Sequence, residues 1–468
     1  MKKRISTILL ICIFCLNCSA CLFENTAKER EIEINLSVNE IYSDLKTKLK
    51  DPGDLNAIND YLISWASDQN IPVSYDRHKN IIMSRKATHG HENDDSTLLQ
   101  CPIGIPDIHN YEAVASTLFI IKTLQEHGFI RAIFTADPDE EYLGSSNISP
   151  SYLSAEKLIS VVYDTKTPFL NSSAAIQNYV FSKSFVKSAP IGNHAYEIVI
   201  GRFPYDASGK IYEKHPNPIK ELGDFFAFAK SKGIAIELVN FSGGNYINTY
   251  PAYAKATFVI SDNDVTKFKR YFDKSAEKFF KSYEKLQETD PFVYTYSAIS
   301  VPELVISRED STQIFSLLYT MINGVFERDA EETAISNTTL STISTEADAI
   351  TLNVCARAKD ESSFEAITNT LQIIATLNDT QFEKTNAFPA WKSSTDSEIY
   401  DAYLKIFSYT IKKELDPKPN LQSSPIAIFK QKNPNLDAIC FSVNFSNNVM
   451  ELEILEDLLS GAYKNKLP

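Results

Sequence analysis

The 468-residue chain sets 46 Lys and Arg against 60 Asp and Glu, a formal net charge of -14, with 43% hydrophobic and 11% aromatic residues. That length and apolar content suffice for two or three packed domains. The acidic balance is broken by no basic cluster beyond the first four residues, which excludes nucleic acid as a partner.

The N-terminus combines Lys2, Lys3 and Arg4 with an apolar stretch from Ile8 to Leu16 and small residues before Cys21. This is the pattern of a secretory signal, too short to span a bilayer. Ser19 and Ala20 ahead of Cys21 resemble the lipobox of bacterial lipoproteins, with Cys18 as the alternative acylation site. The expectation is a signal peptide over 1–20 and a protein held by a lipid anchor on the extracytoplasmic side of a bacterial envelope membrane. Cys101, Cys355 and Cys440 are too few and too far apart for a disulfide framework and read as small buried residues.

After a polar spacer, "NIIMSR", "STLLQ", "RAIFTA" and "LISVVYD" read as short strands. Between the middle two, Ala113, Val114, Thr117, Leu118, Ile121 and Leu124 form one helix face, with Gly128 expected to close the helix. Alternating strands and helices imply a mostly parallel α/β sheet, whose sites gather at the carboxyl ends of strands. Gln100, the acidic cluster Asp137, Asp139, Glu140 and Glu141, and Asp164 all fall at such ends. "HGHEND" at 89–94 reads as a solvated loop.

The middle of the chain has a different pattern. Ile219, Leu222, Phe225, Phe226 and Ala229 mark one helix, and the run from Val265 to Leu286 marks a longer one. "IAIELVNF", "KATFVIS" and "AITLNVCARAK" read as strands, so the expectation is two helices on a mainly antiparallel sheet. Within "FSGGNYINTYPAYAKATFVIS" the glycine pair and Pro251 predict a kinked or bulged strand approached closely by other backbone. From about 388 the pattern returns to helices around the strand "LDAICFSV". The division expected is a catalytic-type α/β domain over 30–175 and 388–468, with an α+β lid domain inserted over 176–387.

With these pieces in order, the chain from about residue 40 resembles the zinc aminoacyl-histidine dipeptidases, relatives of carnosinase among the two-metal exopeptidases. The resemblance rests on "FSGGNYINTYPAYAKA", "GNHAYEI" followed by "HPNPIKEL", "ITLNVCARAKDESSFEAI", "AFPAW" with Ser397, and "IFKQKNPNLDAICFSV". It implies a catalytic domain carrying an inserted lid. It also implies substrate-binding roles for His194, Asn248 and Arg357, an imidazole and a guanidinium being suited to an oxyanion and a carboxylate.

The resemblance fails at the metal. A two-metal hydrolase needs His and carboxylate ligands around a bridging water, yet Pro102 and Gly104 stand where the family has a His and an Asp. His109 falls at the bridging Asp, with Asp107 close by. Glu140 and Glu141 match the paired acids if two residues are inserted, Pro138 and Asp139 if not. Asp164 matches a further ligand, "SSP" at 423–425 replaces an acidic segment, and no His follows His215. The first reading is a pseudopeptidase that binds a peptide, small molecule or partner protein in its interdomain cleft. The alternatives are an active hydrolase with a single or rearranged metal site at His109, Glu141 and Asp164 with Glu140 as its base, and a structural or adhesive dimer formed through the lid. No cofactor is expected, and zinc is the ion if any metal is retained.

Overall fold

The computed structural model describes residues 29–138, 141–164, 169–203, 206–207, 216–289, 291–394, 396–415, 421–445 and 450–462. The leader, with Cys18 and Cys21, and residues Asp139 and Glu140 lie outside them. Two large sheets organise the rest.

The first has seven strands, in the order Val73–Tyr75, Ile81–Arg85, Ile130–Ala136, Thr97–Ile103, Lys157–Tyr163, Asp437–Val443 and Phe169–Leu170. The four from Ile130–Ala136 to Asp437–Val443 run parallel, and the flanking pairings are antiparallel. Parallel strands covered on both faces are apolar throughout rather than alternating, and every residue of Thr97–Ile103 is buried. The helix Asn110–Thr123 lies against this sheet and is buried on all sides through Ile121.

Its end differs from the expectation. The helix stops at Thr123, and Leu124 is already extended. Gly128 serves a different purpose: a Cβ there would lie 2.7 Å from the carbonyl oxygen of Asp95 and 2.8 Å from that of Asp94. Close backbone packing, not a helix cap, selects this glycine.

Asp437–Val443 pairs with Lys157–Tyr163, so the chain leaves this sheet after Phe169–Leu170 and returns to it more than two hundred residues later. In between it builds a nine-stranded sheet whose pairings are all antiparallel. Ile350, Leu352, Val354 and Ala356 share one face of Ala349–Ala358, as their alternation predicts, and join a core with the helices Pro218–Ser231, Asp262–Ser282, Arg308–Thr320 and Glu361–Leu377. Burying each large aliphatic side chain there contributes about 1.5–3 kcal/mol. Four long helices therefore cover the face for which two were expected. The longest ends at Ser282 rather than near Leu286, with a separate short helix at Glu284–Thr289.

The glycine pair resolves into a hairpin. Glu237–Gly243 pairs with Tyr253–Ile260, with a register slip between Leu238 and Asn240. Gly244 has φ +69°, and a Cβ there would fall 1.9 Å from the Ser341 carbonyl oxygen. The loop that follows is thereby pressed against Ala334–Thr345, and it carries Asn248 into the interior, where 1% of its surface is exposed.

Candidate functional site

Three sequence-predicted residues lie at carboxyl ends of the parallel strands. After Thr97–Ile103 the chain turns at Gly104, φ +82°, and Asp107 builds an Asx turn by accepting the His109 backbone N–H at 2.9 Å. His109 then precedes the helix Asn110–Thr123. Its Nδ1 meets Glu112 Oε1 at 3.1 Å, and its ring stacks on Tyr163 with centroids 4.9 Å apart. Glu112 is buried and its other oxygen accepts the Phe445 N–H at 2.7 Å. His109 is thus held as one half of a His–Glu pair one turn apart. Burial, followed by the charges of Glu112, Asp107 and Asp164, raises the Tyr163 phenol above its ordinary pKa.

Pro102 is buried within its strand and its carbonyl accepts the Asn110 side-chain N–H at 3.0 Å. Glu141, at the end of the next strand over, is half buried. Its neighbour Asp137 is buried beneath the short helix Leu143–Asn147 and accepts the Ser145 backbone N–H at 3.0 Å and the Ser145 hydroxyl. Desolvation raises the Asp137 pKa, and bonds from Ser145, Thr135 and Gly144 oppose it. Asp137 therefore holds a turn together. At 89–94, His91 pairs with Asp94 at 2.7 Å within a turn.

Asp164 follows the Lys157–Tyr163 strand and accepts Gln422 Nε2–H at 3.3 Å. Gln422 belongs to a four-residue strap, 421–424, that links both sheets. Leu421 O accepts Arg357 Nη1–H at 3.3 Å, Gln422 O accepts the Ala174 N–H at 2.9 Å, and Ser423 Oγ meets the Tyr142 hydroxyl at 2.7 Å. Ser424 caps the helix Pro425–Lys432 through the Ile426 N–H, with Pro425 in its first turn. The "SSP" segment is a helix start.

On the second sheet, Arg357 and Asn248 come together: Arg357 Nη2 donates to the Asn248 carbonyl at 3.4 Å. Arg357 is fully buried, and desolvation pulls its guanidinium pKa down to about 9, so it remains charged at neutral pH. Asn248, Arg357, the strap and Asp164 thus form one continuous contact path between the sheets. Gln422, Leu421 and Glu112 were not singled out from the sequence. Only the Ser-Ser-Pro cap and the His109/Glu112 spacing of three gave any local sign of them.

His194 is not part of this group. It starts the strand His194–Gly201, opposite Ile260, and pairs with Asp262. Arg357 lies towards the opposite end of the same sheet, paired with Asn337 and Ile176. Four strand spacings and about eleven residue rises separate them through the pairings at Ala254, Gly243, Ile343 and Leu352, a distance on the order of 40 Å.

Among the described residues, no three His, Cys, Asp or Glu side chains gather where they could hold a metal ion. Pro102 and Gly104 carry no ligating side-chain atoms, and the His109 nitrogen nearest Glu112 is occupied by it. Cys101, Cys355 and Cys440 are buried free thiols, and burial pushes the Cys101 and Cys440 pKa up to about 12.

No family model and no curated sequence matches the chain. Solved structures share its fold. The aminoacylhistidine dipeptidase of Vibrio alginolyticus is 20% identical with a TM-score of 0.61, covering 92% of this chain and 96% of that one. Human carnosine dipeptidase 1 is 9% identical with a TM-score of 0.50, covering 93% and 98%. The two-sheet architecture is therefore that of metallo-dipeptidases, and at these identities the likeness extends to the fold alone.

Proposed function

We propose that the protein is a non-catalytic peptide-binding relative of the dipeptidases, using Arg357 and the Asn248 loop to receive the carboxylate of a short peptide. The observation that carries this reading is the commitment of the strand-end residues to structural contacts. Pro102 binds Asn110, His109 binds Glu112 and Tyr163, and Ser423 binds Tyr142. These residues do not fit a two-zinc centre, so no hydrolytic step is derived through one. Arg357 keeps its charge, and a carboxylate reaches its guanidinium when the Asn248 loop, whose carbonyl it now binds, moves aside.

The test is direct. Carnosine and other aminoacyl-histidine dipeptides are titrated into the protein, with zinc and with a chelator, and the solution is then assayed for free amino acids. Binding without cleavage in both conditions is expected. Chelator-sensitive cleavage would replace this reading with an active hydrolase, and zinc is the ion to examine.

A second reading, a dimer formed through the lid, is favoured by a separate observation. Val186, Ile191, Ile299, Val301 and Leu304 are exposed on the margin of the sheet that carries His194. Light scattering at micromolar concentration tests it. The leader supports anchoring at Cys21. Replacement by Ala should abolish acylation and release the protein from the membrane fraction.

A further inference from the structure

One cavity lies on the helix-covered side of the second sheet, with a volume of about 450 Å³; its Ile176 is the strand partner of Arg357, but the Arg357 side chain is not in its lining. That is within the range of small-molecule sites. Its floor is formed by the strands Ala175–Ser184 and Gln381–Phe388, one wall by the first turns of Glu361–Leu377, and the other by the crossover 388–390 with Gln431. The floor is irregular. The register slips between Lys384 and Ala387, and Gln177 Nε2 donates to the Thr385 carbonyl at 2.9 Å inside that bulge. Bulges of this kind re-aim side chains and are frequent beside binding sites.

Five charged side chains line the cavity, the cations Lys359 and Lys384 and the anions Asp360, Glu361 and Glu365. Asp360 is committed elsewhere, since it caps the helix through the Ser363 N–H and accepts the Ser362 hydroxyl. Among the described residues, none of the other four charged side chains makes a hydrogen bond or an ion pair, although both signs face one cavity. Lys359 is half buried, and desolvation lowers its pKa against the opposing influence of Asp329 and Asp360. Phe364 and Phe388 add apolar surface to the same walls.

Two cations and two anions left without partners, beside the apolar surface of Phe364 and Phe388, are complementary to a molecule that carries one carboxylate, one ammonium and an apolar body. We infer that this cavity is a binding site for a free apolar amino acid. The carboxylate lies towards Lys359 and Lys384, the ammonium towards Glu361 and Glu365, and the side chain against Phe364 and Phe388. The site is separate from the peptide-binding reading of Arg357 and stands without it. It also touches both chain segments that join the two sheets, at Ala175 and at 388–390, so occupancy should be visible as slowed amide exchange in those segments.

The experiment titrates L-phenylalanine into the full chain by ligand-observed NMR, beside phenethylamine, which lacks the carboxylate, and 3-phenylpropanoate, which lacks the amine. Because exposed ion pairs are weak, a Kd on the order of 1 mM is expected for phenylalanine. Each half-ligand should bind at least about threefold more weakly. Lys384→Ala and Glu365→Ala, both at exposed positions, should each weaken phenylalanine by about threefold with unchanged thermal melts, and Arg357→Met should leave it unaltered. The proposal is overturned by absence of binding at about 10 mM, by equal binding of the half-ligands, or by insensitivity to both cavity substitutions. Loss of binding confined to Arg357→Met would place the ligand in the interdomain cleft and overturn it equally.

Discussion

Replacing Arg357 with Met removes a buried charge while keeping most of the aliphatic stem. Burial lowers the guanidinium from 12.5 to about 9, which corresponds to about 5 kcal/mol of desolvation that the folded state carries at neutral pH. Against this stand hydrogen bonds to the carbonyls of Asn248 and Leu421, at 3.4 and 3.3 Å. Bonds of that length to a charged donor contribute about 3 kcal/mol together. The substitution should therefore leave stability within about 2 kcal/mol of the parent, measured by urea unfolding at pH 7. Peptide binding should respond very differently. Losing one charged carboxylate contact of about 1.5–3 kcal/mol weakens affinity roughly 10- to 150-fold, and peptides with an amidated C-terminus should be indifferent to the change. Severe destabilisation with peptide affinity intact would show that Arg357 is a structural tie between loop and strap, and the reasoning would fail.

Further outcomes follow from other parts of the chain. Gly244→Ala should destabilise by several kcal/mol, on the order of 3, because the new Cβ meets the Ser341 carbonyl at a left-handed φ; a thermal melt within a degree or two of the parent would contradict the close approach. Burial pushes the Glu451 carboxyl up to about 8, so its protonated form is favoured by folding. The associated stability is complete below the unfolded value of 4.5 and is lost as pH rises through about 8. Glu451→Gln should flatten that decline, with a gain on the order of 2 kcal/mol at pH 9 after allowance for partial exposure, read from unfolding curves at pH 5 and pH 9. Asn178 is 1% exposed and neither side-chain amide atom finds a partner among the described residues. Asn178→Val should therefore stabilise by about 1 kcal/mol, and clear destabilisation would reveal a bound water or ligand there. His194→Ala should not change peptide affinity in a monomer, given the distance to Arg357; an effect only at concentrations where the protein dimerises would bring a second copy into the site.

The sequence conveyed the architecture through period and order. Alternation in Ala349–Ala358 identified an amphipathic strand and the alternation of strands with helices a mostly parallel sheet, and both are found. Composition read less well where one residue type has two uses. Gly128 looked like a cap and is a close-packing glycine. The helix Arg308–Thr320 was overlooked because Arg308, Glu309, Asp310 and Ser311 dilute its apolar stripe at the start, although Ser307 caps it through the Asp310 N–H. The site was legible in part. Asn248 and Arg357 do meet, whereas the strap that joins Arg357 to Asp164 depends on contacts between residues far apart in the chain, which no local pattern encodes. His194 carries no local sign that the sheet's register places it at the far end from Arg357.

The central claim is peptide binding without metal-dependent hydrolysis. It is tested most directly by calorimetric titration of carnosine into protein spanning residues 22–468, once after zinc loading and desalting and once after chelation, with metal content and free histidine measured in the same samples. The account predicts equal affinity in the two samples, no retained stoichiometric zinc and no histidine released. One or two tightly held zinc ions per chain with histidine release abolished by the chelator would contradict it.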